Sequence, residues 1–230
     1  MTAPPLVAVA HGSRDPAAQR TVDALLDVVR ARRPDLDVRA AYVQNASPDL
    51  RSALAAAPPG AVVVPLLLSR GYHVAVDIAR AAAAADAVVA PPLGPDGHLS
   101  DALADRLAEA GVPAAAPVVL AAAGSSDPEA VTDVEEQARL LADLRGAPVV
   151  AAYATAGRPR VREAVLDLLA RTAGPVAVAP YLVAPGHFAT MVARAAAAWI
   201  AAPIGAHPGL ADLVLARYGC VAARSDAAVG

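Results

Sequence analysis

Lysine is missing from this 230-residue chain, and all nineteen of its basic residues are arginine. That alone removes the nucleotide-binding loop whose lysine reaches the terminal phosphates, and no GxGxxG run follows the first strand to suggest a dinucleotide fold. Phenylalanine and tryptophan occur once each, so the core has to be built from small, closely packed side chains and not from aromatic clusters. The single cysteine, Cys220, excludes an internal disulfide and a four-cysteine zinc site; a buried small hydrophobe is its expected state. No apolar run approaches the roughly 18 residues that span a bilayer, because Asp, Arg or Pro interrupts each alanine-rich stretch. No basic-then-apolar leader precedes the first strand. A net charge of −3 offers no basic face for nucleic acid. A cytoplasmic protein with no nucleic-acid or membrane partner is expected.

What is present is a repeat. HGSRDPAAQ at His11 returns as AGSSDPEAV at Ala123. Ala41-Tyr42, followed by Pro48 and Arg51, returns as Ala152-Tyr153, followed by Pro159 and Arg162. VVVPLLL returns as VAVAPYLV, and Pro92-Leu93-Gly94 as Pro203-Ile204-Gly205. The offset stays at about 111 residues, which marks a duplicated domain and not a solenoid of short units.

Each half reads β-α-β-α-β-α-β-α. In the first, short apolar runs at 6–10, 38–43, 61–68 and 87–90 predict strands, and 16–33, 48–57, 74–85 and 99–110 predict helices. Strands alternating with helices indicate parallel sheets covered on both faces. Asp15-Pro16 supplies an N-cap carboxylate and a proline at the first helical position, and Ser47-Pro48 predicts a similar start. GVPAAAP at 111–117 reads as a linker. The fold class is therefore α/β, with two duplicated parallel-sheet domains, 1–112 and 117–230, facing each other across a cleft. One chain then supplies both walls, so a monomer is expected.

His11 and His73 each follow an apolar run and precede a helical segment. In an open α/β sheet the carboxyl ends of the strands face the ligand crevice, and two imidazoles there make a metal site with open positions. Such a site suits a protein that passes a metal on.

HGSRDP after the first strand, PLLLSRGYHVAVDI after the third and PLGPDGHL after the fourth resemble the sirohydrochlorin cobalto- and ferrochelatases, in their two-domain form. The resemblance covers nearly the whole chain and is closer in the first half. It implies insertion of Co²⁺ or Fe²⁺ as substrate metal into sirohydrochlorin, in cobalamin or sirohaem biosynthesis, with no tightly bound cofactor. His11 and His73 would be the metal ligands and proton acceptors. Ser13, Arg14, Ser69 and Arg70 would meet the macrocycle's carboxylates, since arginine's planar fork matches them.

This sequence departs from that pattern in two places. Gln44 stands where an acidic residue is expected at the end of the second strand, and an amide accepts no proton at neutral pH. Ala123 replaces His11 in the second half. His187 is the second half's remaining candidate for touching substrate, but a gapless match puts Phe188 opposite His73. Both departures keep open a non-catalytic tetrapyrrole or metal carrier. A histidine phosphatase is disfavoured, because Ala10 occupies the arginine position of its Arg-His-Gly motif. Arg14 and Arg70 have a plainer reading as solvated charges, Ser125 and Ser126 as helix caps, and His98 and His207 as surface or turn residues.

Overall fold

Valine-rich runs that are apolar on both faces are stable only when helices cover both sides of the sheet, and that is the architecture found. The computed structural model describes residues 3–172 and 174–227, with the side chains of 72–74 and 224–227 outside the description. The first repeat runs β1 (Leu6–Ala10), α1 (Pro16–Arg32), β2 (Val38–Tyr42), α2 (Leu50–Ala55), β3 (Val62–Pro65), α3 (Tyr72–Ala83), β4 (Val88–Val89) and α4 (Gly97–Glu109). The second runs β5 (Val118–Ala122), α5 (Pro128–Arg145), β6 (Val149–Tyr153), α6 (Val161–Thr172), β7 (Ala177–Tyr181), α7 (His187–Val192), β8 (Trp199–Ile200) and α8 (Pro208–Ala227). Two parallel sheets result, ordered β2-β1-β3-β4 and β6-β5-β7-β8.

Alternation along the strands sorts the core into layers. Leu6, Ala8 and Ala10 of β1 and Val118, Leu120 and Ala122 of β5 share one apolar cluster with α1, α4, α5 and α8. Val7 and Val9 face outward onto α2 and α3, while Val119 and Ala121 face α6 and α7. The inner helices thus lie between the sheets and belong to both.

The repeats also exchange their last helices. α4 packs on α5 and β7 of the second repeat, and α8 packs on α1 and β3 of the first. Two arginines at equivalent positions secure the exchange. Arg106 of α4 donates through Nε and Nη2 to the Ile204 carbonyl, at 3.0 and 2.8 Å. Arg217 of α8 donates to the carbonyls of Pro92 and Leu93, each at 2.9 Å, and to Asp96 at 3.0 Å. Residues 113–116 separate the repeats in sequence, but in space they share one core.

Some expectations change. β3 ends at Pro65, where the 61–68 run predicted a longer strand, because residues 66–71 leave the sheet to wall the cleft. α2 starts at Leu50, capped by Asp49, whose carboxylate accepts from Ser52 N; Ser47-Pro48 lies ahead of the helix. Cys220 is exposed and not buried: the inward face of α8 is already filled by Leu210, Leu213, Val214 and Tyr218. Among the described residues, no helix is long and apolar enough to cross a membrane.

Candidate metal and tetrapyrrole site

The carboxyl ends of β1, β2, β3, β5, β6 and β7 converge on one cleft of about 730 Å³. Its first-repeat wall carries His11, Ser13, Arg14, Gln44, Ser69 and Arg70; its second-repeat wall is largely Ala122, Ala123, Val134, Val183, Pro185 and Phe188. Both walls are mixed, with Val22, Leu66 and Leu68 on the first and Ser125, Tyr181 and His187 on the second, but Arg14, Asp15 and Arg70 are all on the first.

Backbone geometry sets the first-repeat wall. The β1–β2 ladder continues past the strands, with Val43 N donating to Ala10 O at 3.0 Å and Gln44 N to His11 O at 3.1 Å. Gly12 sits at φ +91, and a Cβ there would collide with the Gln44 carbonyl, so only glycine lets the two loops approach. Their side chains meet as a result: Gln44 Nε2 lies 2.8 Å from His11 Nε2. An amide nitrogen only donates, so the ring nitrogen accepts and His11 carries its proton on Nδ1. Desolvation by the cleft walls lowers the His11 pKa below the ordinary 6.5. The neutral imidazole, the form that binds a metal, is thereby favoured.

The loop then turns into α1. Ser13 Oγ accepts from Asp15 N at 3.1 Å, and Asp15 caps the helix by accepting from Ala17 N at 2.9 Å. Arg14 is exposed and forms no ion pair among the described residues. The second repeat reproduces the scaffold without the chemistry. Gly124 has φ +100, Thr155 N donates to Ala123 O at 2.9 Å, and Ser125 Oγ accepts from Asp127 N at 3.0 Å. Yet Ala123 has no ligand atom, and Thr155, in the place of Gln44, turns its hydroxyl onto the Ala123 carbonyl at 2.6 Å.

His73 is the second residue of α3; its side chain lies outside the described residues. Its backbone counterpart is Phe188, second in α7, because Gly71 and Gly186 are the respective N-caps. His187 is exposed in the cleft, edge-on to Phe188 with ring centroids 5.7 Å apart. Among the described residues, no group of three or more His, Cys, Asp or Glu side chains is placed to hold a metal.

Arg70, expected to meet substrate, has its guanidinium committed elsewhere. Nε and Nη2 grip the Asp133 carboxylate at 3.0 and 2.7 Å, and Nη1 reaches Glu129 at 3.1 Å. The physical reason is proximity, since α5 runs directly behind the 66–71 segment. His98 pairs with Asp96 at 2.8 Å, and His207 accepts from Gly209 N at 3.1 Å while facing Asp105 at 3.1 Å; both lie away from the cleft lining. Sequence reading missed Asp133, Gln137 and Tyr181. A signal did exist: Asp133 and Gln137 lie on the buried stripe of α5 with Ala130, Val134, Ala138 and Leu141, where the helical period calls for apolar residues.

A two-lobed α/β cleft with a neutral histidine at the end of its first strand defines a metal- or ligand-handling class, and the comparisons narrow it. The CbiX family model matches residues 5–110 and again 117–220, and the chain belongs to that family. It is 28% identical over 239 residues to a sirohydrochlorin ferrochelatase of Bacillus subtilis, covering 95% of this chain and 92% of that one. It is 31% identical over 77 residues to a sirohydrochlorin cobaltochelatase of Methanosarcina acetivorans, covering 32% of this chain and 59% of that one. The solved structure of SirB from Bacillus subtilis with Fe³⁺ superposes with a TM-score of 0.81 at 26% identity, covering 98% of each chain.

Proposed function

We propose that this chain is a sirohydrochlorin metal chelatase, inserting Co²⁺ or Fe²⁺ into the macrocycle, and that it acts as a cytoplasmic monomer. The observation that carries the reading is the contact of His11 with Gln44 at the first-repeat strand ends of a cleft shared by both repeats, within a chain matched along both repeats by the CbiX family. The planar macrocycle lies against the second-repeat wall, where Ala122, Val183 and Phe188 offer apolar surface, and its carboxylates reach Arg14 and the Ser13 and Ser69 hydroxyls. The incoming divalent ion takes His11 Nε2 and the His73 imidazole as exchangeable ligands. Gln44 yields the His11 lone pair to the metal and, turned about its last side-chain bond, presents its carbonyl oxygen instead. Because glutamine accepts no proton at neutral pH, the two ring N–H protons leave to the histidines or to water. His187 touches substrate from the opposite wall without ligating the metal.

The metal decides the product's destination: iron leads to sirohaem, cobalt to cobalamin. The test follows sirohydrochlorin absorbance after addition of Co²⁺ or Fe²⁺, with and without protein. Multiple turnovers at a rate proportional to protein concentration are expected, with His11→Ala nearly inactive. Stoichiometric binding without turnover would establish the carrier instead, the reading that Gln44 and Ala123 favour.

A further inference from the structure

Two sets of polar contacts between the repeats differ in symmetry. The arginine clamps are reciprocal, Arg106 matching Arg217, and belong to the helix exchange. The contacts on residues 68–70 are one-sided. Asp133, only 4% exposed in its side chain, accepts from the Arg70 backbone N–H at 2.8 Å as well as from the guanidinium. Tyr181 donates its hydroxyl to the Leu68 carbonyl at 2.6 Å, and burial pushes its pKa well above the usual phenol value, so it remains a donor. Gln137, fully buried, accepts from Asp96 N at 2.9 Å and donates to Ser100 Oγ at 2.8 Å, which steadies the adjoining 92–97 loop.

The mirror-image contacts are missing among the described residues. Asp133 is the sixth residue of α5, and the sixth residue of α1 is Thr21, whose hydroxyl bonds its own helix at Ala17 O, 2.9 Å away. Arg70 precedes the N-cap Gly71; the residue before the N-cap Gly186 is Pro185, with neither a side-chain charge nor an N–H. Tyr181 corresponds to Leu66. Among the described residues, only the loop that leads to His73 is latched, and the latch comes from the repeat whose strand-end position is Ala123.

We propose that Asp133 is a positioning residue, fixing from the second repeat the 68–71 segment that delivers His73 to the metal. The proposal rests on the metal-site reading above. It gives the diverged repeat a second duty besides walling the cleft, because a buried carboxylate holding both the backbone and the side chain of Arg70 leaves that segment little freedom.

The experiment titrates Co²⁺ alone into the full-length protein by calorimetry, with hydrogen exchange followed over residues 66–74. Asp133→Asn is expected to weaken Co²⁺ binding by about tenfold, the usual effect of losing a group that orients a metal ligand, and to speed exchange at the Arg70 amide. Tyr181→Phe removes one bond of the latch and shifts both readouts the same way by less; it carries the test if Asp133→Asn does not fold. Arg106→Lys, which loosens the repeats at the Ile204 carbonyl and away from this segment, is expected to lower Tm with Co²⁺ affinity unchanged. Wild-type affinity in folded Asp133→Asn and Tyr181→Phe overturns the proposal, as does an equal loss in Arg106→Lys. If His11→Ala also binds Co²⁺ like wild type, the metal-site reading itself fails; if His11→Ala loses binding while Asp133→Asn keeps it, only the positioning role falls.

Discussion

His11 titrates in a wall that disfavours its charged form. Its folded pKa lies below the ordinary 6.5, so as pH falls the unfolded chain takes up the proton before the folded one does. The stability linked to this residue is complete above about pH 6.5 and drains away only below it. Metal binding follows the same ring. Co²⁺ affinity should stay level as pH falls through 6.5 and weaken only as the lower folded pKa is reached. Calorimetric Kd values measured across that range check this; a midpoint at or above the free imidazole value would show that desolvation is not controlling the site. His11 was legible in the sequence because it follows a strand in a parallel sheet, and such ends share a crevice, whereas Gln44 stood out only through the family resemblance. The commitment of Arg70 was not, because its partner lies 63 residues away on the other repeat, beyond any local pattern.

Among the elements, the β1–α1 turn and its copy after β5 provide a matched pair. Gly12 and Gly124 both have strongly positive φ, and both press against the carbonyl of the neighbouring loop, Gln44 in one repeat and Ala156 in the other. Alanine at either place should cost about 2 kcal/mol or more, from the left-handed backbone plus the clash, measurable by denaturant unfolding. Gly12→Ala should also abolish or greatly weaken Co²⁺ binding, because it parts His11 from Gln44, whereas Gly124→Ala should leave binding intact. Equal effects on metal would contradict a one-sided site. The helix starts at Asp15 and Asp127 were readable from Asp-Pro; the late start of α2 was not, because Ser47-Pro48 resembles a cap until Asp49 is seen accepting from Ser52 N. The short β3 escaped reading for a related reason: Leu66 and Leu68 are as apolar as a strand but fill the shared core from a loop.

For the whole molecule, the duplication and its sheets were evident from repeated motifs, while the exchange of α4 and α8 was not. Both assignments of a terminal helix leave the same hydrophobic pattern, and only the packed sheets choose between them. With both walls of the cleft on one chain, the rate should scale linearly with protein down to nanomolar concentration, since a single-chain site loses nothing on dilution. A steeper dependence would reveal a second copy in the active form.

The crossing of α8 also dictates when this protein finishes folding. During synthesis the first repeat leaves the ribosome complete in sequence, yet the inner face of β3 waits for α8, which follows all the other elements of the second repeat. Until α8 emerges that face is an unsealed apolar surface, and N-terminal-first folding cannot run to completion. The first repeat is thus an obligate client of the second repeat's last helix. Chains halted at the 113–116 linker should be sticky and protease-sensitive alone, and should become resistant when the second repeat is supplied in trans.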